Sequence, residues 1–194
     1  MNKKHISAAI LAGIALYFSW QTVVDVDEKA KSPAPVPEVK IEQPVVEEKP
    51  KQFKPSAEVP LSPELQRFAK AQADANGVPY ILVLAVMEQE SRFDVDADGG
   101  DSFGLMQIHH IHGDRDKIIE PHENIRIGCW LLGYLHKRYN DWNKALVAYN
   151  CGEYGAEEMY FKYGSISSPY SREVMFRSEK FAKMLNEPSV LMPR

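Results

Sequence analysis

Cysteine is scarce in this chain, and so are surplus positive charge, alternating strands and internal repeats. The 194 residues contain two cysteines, Cys129 and Cys151, too few for a disulfide scaffold. They are either two packed thiols or one bridge, depending on the redox compartment. Lys and Arg number 23 against 27 Asp and Glu, for a formal net charge of -4. No face is rich enough in cations to neutralise a row of phosphates, which argues against a nucleic-acid partner. No run alternates apolar and polar residues as a half-buried strand does, and no segment repeats another. These absences leave an all-α chain with the apolar content of a globular protein, long enough for one ordinary domain and its appendages.

Residues 1–24 open with Lys3 and Lys4 and continue from Ile6 as an uncharged, mostly apolar segment of about 19 residues, enough to cross a bilayer. Phe18-Ser19-Trp20-Gln21 offers no small-x-small cleavage site. Ala30-Lys31-Ser32 lies before Pro33 and far from the apolar segment. An uncleaved transmembrane anchor at residues 6–24 is therefore expected, with a cleaved signal as the alternative. Lysines held in the cytoplasm would leave the rest of the chain outside. Residues 25–60 change composition to Pro, Glu, Lys and Val, with Pro33, Pro35, Pro37, Pro44, Pro50, Pro55 and Pro60 spread through them. Such a segment cannot bury a core and reads as an extended, disordered linker; roughly 36 residues at ~3.1 Å each reach on the order of 100 Å.

The folded domain is expected over residues 61–187, with a short tail at 188–194. Ser62, Pro63 and Glu64 spell a helix start, Leu65, Phe68, Ala69 and Ala73 share a face, and Gly77 ends the element. Pro79 opens a second helix whose residues 81–87 are apolar on every side, so it must be buried all round. Glu90 stands where that run ends. Desolvation and the negative end of the helix dipole both disfavour its charged form and raise its pKa toward a value useful to a general acid. The acidic stretch 94–101 is a loop, and residues 104–108 read as a short helical turn. A long helix over residues 123–139 uses Ile125, Ile127, Trp130, Leu131, Tyr134 and Leu135 as its apolar side. Asp141 caps the next, which stops near Gly152. A last helix at 170–185 offers Val174, Phe176, Phe181 and Leu185 to the core.

Glu90-Ser91, then Gly104-Leu105-Met106-Gln107, then Ala148-Tyr149-Asn150, with a buried helix before the first motif and a glycine-bearing helix between the second and third, together resemble the SLT-type lytic transglycosylases. That family has a lysozyme-like fold and is related to goose-type lysozyme. The resemblance covers approximately residues 61–185 and implies cleavage of peptidoglycan glycan strands between N-acetylmuramic acid and N-acetylglucosamine. Glu90 matches the family's single catalytic acid. It would protonate the glycosidic oxygen while the substrate's N-acetyl group stabilises the cationic centre. As carboxylate it would then take the proton of the 6-hydroxyl as a 1,6-anhydro ring closes. A substrate-assisted reaction of this kind needs one carboxyl with a raised pKa rather than a spaced pair.

Ser91, Gly104, Met106, Gln107, Tyr149 and Asn150 match positions around the family's sugar groove, and Tyr170 lies about where it places a tyrosine that orients the catalytic carboxyl. Each has a plainer reading: Met106 as core, Gly104 as a turn residue, Asn150 as a helix end before Gly152. No cofactor is implied. His109, His110 and His112 cluster on a loop, but no Cys or carboxylate spacing completes a zinc site. Asp94, Asp96, Asp98 and Asp101 lack the Gly and terminal Glu of an EF-hand and read as a solvated acidic loop. Goose-type enzymes use extra acids near this region for water attack, so Asp98 or Asp101 leaves a hydrolase, or muramidase, open. A non-catalytic peptidoglycan-binding scaffold is the remaining alternative. Cys151 follows the Tyr-Asn pair where a small residue is usual, and a Cys129–Cys151 disulfide is expected if the two helices pack antiparallel in an oxidising periplasm. An inner-membrane anchor with a periplasmic domain would suit a wall-spanning secretion, conjugation or phage-related apparatus.

Overall fold

The computed structural model describes residues 53–190. The expected anchor at 6–24 and most of the linker lie outside the described residues. Six helices carry the fold: α1 (Pro63–Asn76), α2 (Tyr80–Glu90), α3 (Arg115–Ile118), α4 (Pro121–Tyr139), α5 (Trp142–Met159) and α6 (Pro169–Leu185). Two residues of β1 (Ser102–Phe103) pair antiparallel with two of β2 (Ile108–His109). No helix among the described residues is long and apolar enough to cross a membrane.

Local chemistry sets the helix ends. Ser62 accepts from the Leu65 amide at 3.2 Å, Pro63 opens α1, and Gly77 closes it in a left-handed conformation. Asp141 accepts from the Lys144 amide at 2.9 Å and starts α5. Ser168 and Ser171 exchange side-chain-to-backbone bonds at the start of α6. The expected stop at Gly152 is a kink instead: its φ of 71° and ψ of 163° break the helical path, and the chain resumes as helix to Met159.

Every residue of α2 from Tyr80 to Met87 is buried, as its all-round apolar pattern requires. It packs against α1 and α6, while α4 is held between α1 and α5. Each fully buried Leu, Ile or Val there contributes about 1.5–3 kcal/mol of hydrophobic transfer. Some outer positions differ from expectation. Phe176 is 63% exposed and Trp130 49%, because a three-to-four-residue period leaves them just past the edge of the buried stripe. Val174 and Phe181 are buried as expected.

Packing also extends beyond the expected boundaries. Val59 is buried, Phe53 meets Tyr80 edge to face at 5.2 Å, and the buried Gln66 side chain bonds both the amide and the carbonyl of Ser56. Packing on the core therefore includes residues upstream of Leu61, within the stretch assigned to the linker. At the other end Val190 packs against the core and Ser189 donates to Glu179 at 2.7 Å. A few proline-separated apolar residues gain enough burial by lying on a finished core, a benefit that no local pattern records.

Candidate active site

Glu90 is the last residue of α2, partly buried where the dry helix meets the surface. The Tyr170 hydroxyl, eighty positions on, donates to its Oε1. Burial raises the Glu90 pKa above the ordinary carboxylate value, and the Tyr170 bond acts in the opposite direction. Burial also drives the hydroxyls of Tyr149 and Tyr170 well above an ordinary tyrosine, and the Glu90 charge adds to both. The three groups thus form one electrostatic cluster with Glu90 its single carboxyl.

Behind the acid, the loop expected as a helical turn is the tip of the β1–β2 hairpin. Gly104 enters the turn at φ 72° and Gln107 leaves it at φ 46°. Both values lie in the left-handed region, which a continued right-handed helix cannot contain. Side chains of three residues fix this tip against the helices. Ser91 Oγ donates to Leu105 O at 2.9 Å, and Tyr149 Oη donates to Met106 O at 2.8 Å. Asn124, fully buried on α4, accepts from the Met106 amide at 2.8 Å and donates to Phe103 O and Ile118 O, each at 2.7 Å. A Cβ on Gly104 would lie 2.6 Å from the Asn124 amide nitrogen, so a side chain there would displace this anchor.

Glu90, Ser91, Gly104, Gln107, Tyr149 and Tyr170 are thus gathered around one turn. Gln107 donates back to Gly104 O at 3.1 Å and Ala97 O at 3.3 Å, and Asn150 is exposed beside Tyr149. Met106 corrects the groove-lining expectation. Its side chain is fully buried, and the closeness of its sulfur to α4 leaves no room for a Cβ at Gly128. The backbone of Met106, not its thioether, meets Asn124 and Tyr149. Asn124 is the residue that sequence reasoning passed over; its signal was a polar amide on the face of α4 that Ile125 and Ile127 otherwise mark as apolar.

The remaining candidates have partners of their own. Asp98 is held by Arg115 at 2.8 Å and by the Gly100 amide at 2.9 Å, which keep its carboxyl below the ordinary value. Asp101 is exposed near His110, at 3.6 Å. Among the described residues no group of His, Cys, Asp and Glu has the arrangement of a metal site. The expected disulfide is not formed: Cys129 and Cys151 are free. Cys129 is in the core, while the Cys151 thiol turns back along its own helix to Val147 O at 3.1 Å.

The sequence profile described as Transglycosylase SLT domain matches residues 67–163, half of the chain. No curated protein matches. Among solved structures, the fold resembles an inactive glutamate-to-glutamine mutant of the lytic transglycosylase Slt from Pseudomonas aeruginosa, with a TM-score of 0.53 and 23% identity over 63% of this chain and 24% of that one. It also resembles the 70-kDa soluble lytic transglycosylase in its complex with bulgecin A, with a TM-score of 0.57 and 19% identity over 66% of this chain and 25% of that one. The chain spans about a quarter of the length of either protein. On the matched profile and the shared fold, this chain belongs to the SLT transglycosylase domain family, whose architecture is lysozyme-like.

Proposed function

We propose that the protein is a peptidoglycan lytic transglycosylase that cuts the bond between N-acetylmuramic acid and N-acetylglucosamine and leaves 1,6-anhydro ends. The observation that carries this reading is the Glu90 carboxyl, raised in pKa by burial and held by the Tyr170 hydroxyl. A two-acid glycosidase holds its partner carboxyl a fixed distance across the scissile bond. Asp98, the nearest sequence candidate for that part, is already bound to Arg115 and the Gly100 amide. Glu90 begins protonated, gives its proton to the leaving oxygen, and as carboxylate accepts the 6-hydroxyl proton, with Tyr170 stabilising the anion between the two steps. No cofactor enters this sequence. Asn150, exposed beside Tyr149, offers a side-chain amide suited to an acetamido group.

The N-terminal segment supports an inner-membrane anchor that holds the domain in the periplasm. This location would suit a wall-spanning apparatus of the secretion, conjugation or phage type. Incubation of the full-length chain with cell-wall sacculi, followed by mass spectrometry of the released material, tests the reaction. Anhydro ends are expected. Reducing ends would instead establish a hydrolase, and intact sacculi a non-catalytic scaffold. Glu90→Gln is expected to abolish release while leaving the fold unchanged; retained activity would move the acid to another residue.

A further inference from the structure

Glu90 closes α2, and the chain leaves it abruptly. Arg92 and Phe93 follow with φ of 56° and 66°, so the last turn of α2 lacks the onward helix that would stiffen it. α6 supplies a grip. Tyr170 and Arg177 are seven residues, two turns, apart on α6 and therefore share a face. Tyr170 holds the Glu90 carboxyl, and Arg177 holds the two residues just before it. Arg177 Nε donates to Gln89 Oε1 at 3.0 Å, and its Nη1 lies 3.0 Å from Glu88 Oε2. Its Nη2 meets Glu173 Oε1 at 2.9 Å, one turn back on α6. The guanidinium is thus oriented by its own helix and spread across both side chains of the other, a use of its planar fork that a lysine cannot reproduce. Glu88 Oε2 is shut off from water and meets no hydrogen bond of good alignment; the Arg177 cation is what it has.

We infer that Arg177 is a positioning residue for the proposed reaction, clamping the end of α2 so that Glu90 stays in register with Tyr170. It has two effects. It fixes the direction in which the last turn presents Glu90, and it neutralises Glu88, a charge two residues from the acid. Glu90 is faced by Tyr170 from α6 and influenced by Tyr149 from α5, while Glu88 and Arg177 are the charged pair behind it. Removing Arg177 loosens the Tyr170 bond and bares the Glu88 charge. Both changes favour the protonated acid, so the titration midpoint of Glu90 moves upward.

The inference rests on Glu90 being the proposed acid, and its test separates the two ideas. Full-length Arg177→Met and Arg177→Lys are compared with the native chain by carbon-13 NMR titration of the Glu90 carboxyl and by kinetics on sacculi. For Arg177→Met the midpoint is expected to rise and kcat to fall about tenfold with KM unchanged, as a small misplacement of the acid would produce. Arg177→Lys, which keeps the charge but not the fork, should fall between the two and keeps the test open if the Met variant fails to fold. An unchanged midpoint and kcat, with only the melting temperature lowered, would overturn the inference by making Arg177 a plain structural tie. A native chain that releases nothing overturns the transglycosylase reading instead, and the midpoint then decides the clamp by itself.

Discussion

Glu90 is held in a place that disfavours its charge, and the energetic consequence has a definite sign. An acid whose folded pKa lies above its unfolded value contributes stability below the unfolded pKa and loses it as pH rises through the folded one. Burial is the larger influence on Glu90. Glu90→Gln therefore removes a penalty that grows with pH. Its melting temperature is expected to exceed that of the native chain by a few degrees at neutral pH, with the gap closing below about pH 4. A gap that widens on acidification would contradict this. Tyr170→Phe takes away the one donor that lowers the Glu90 pKa. The protonated acid then persists to higher pH, so the alkaline limb of the pH–rate profile should move upward while kcat falls about tenfold. A limb that stays in place would show that the tyrosine does not govern the acid.

At the scale of elements, the site depends on how the hairpin tip is fastened to three helices. Asn124 makes two of these bonds and a third to Ile118 O on α3, all from a fully buried position. Asn124→Ala leaves an amide and two carbonyls without partners in a dry interior, and denaturant unfolding should show a loss of about 2–4 kcal/mol. A loss under ~1 kcal/mol would mean that water replaces the side chain. The sequence could mark α2 as buried, because the seven residues 81–87 are apolar with no polar face and admit no other arrangement. It could not mark the hairpin. Two-residue strands carry no period, and Gly104 and Gln107 take their left-handed angles from the fastening that Asn124, Ser91 and Tyr149 provide.

For the molecule as a whole, the thiols report on how α4 and α5 are set. Cys129 is buried, with its pKa pushed up to about 12 by desolvation, and Cys151 is partly exposed with a raised thiol pKa. A thiol reagent should find Cys129 inert in the native chain and both cysteines reactive after unfolding without reductant. An unfolded chain with no reactive thiol would instead reveal a bridge. Spacing along two helices made that bridge plausible. Only the packing shows one sulfur in the core and the other turned toward the carbonyl of Val147.

By itself the sequence determined the helical class, the caps at Ser62, Asp141 and Gly77, the buried course of α2 and the acid at its end. Each is a local matter of period, propensity or desolvation along one helix. Tertiary structure decided what lies around that acid. Tyr170 reaches Glu90 across eighty residues and Tyr149 reaches Met106 across forty-three, contacts for which α6 and α5 must first pack beside α2. The same holds for the inward turn of the Met106 side chain, the grip of Arg177 on Glu88 and Gln89, and the packing of Phe53 and Val59 on the core. All are set by the shapes of facing surfaces, which no window of neighbouring residues contains.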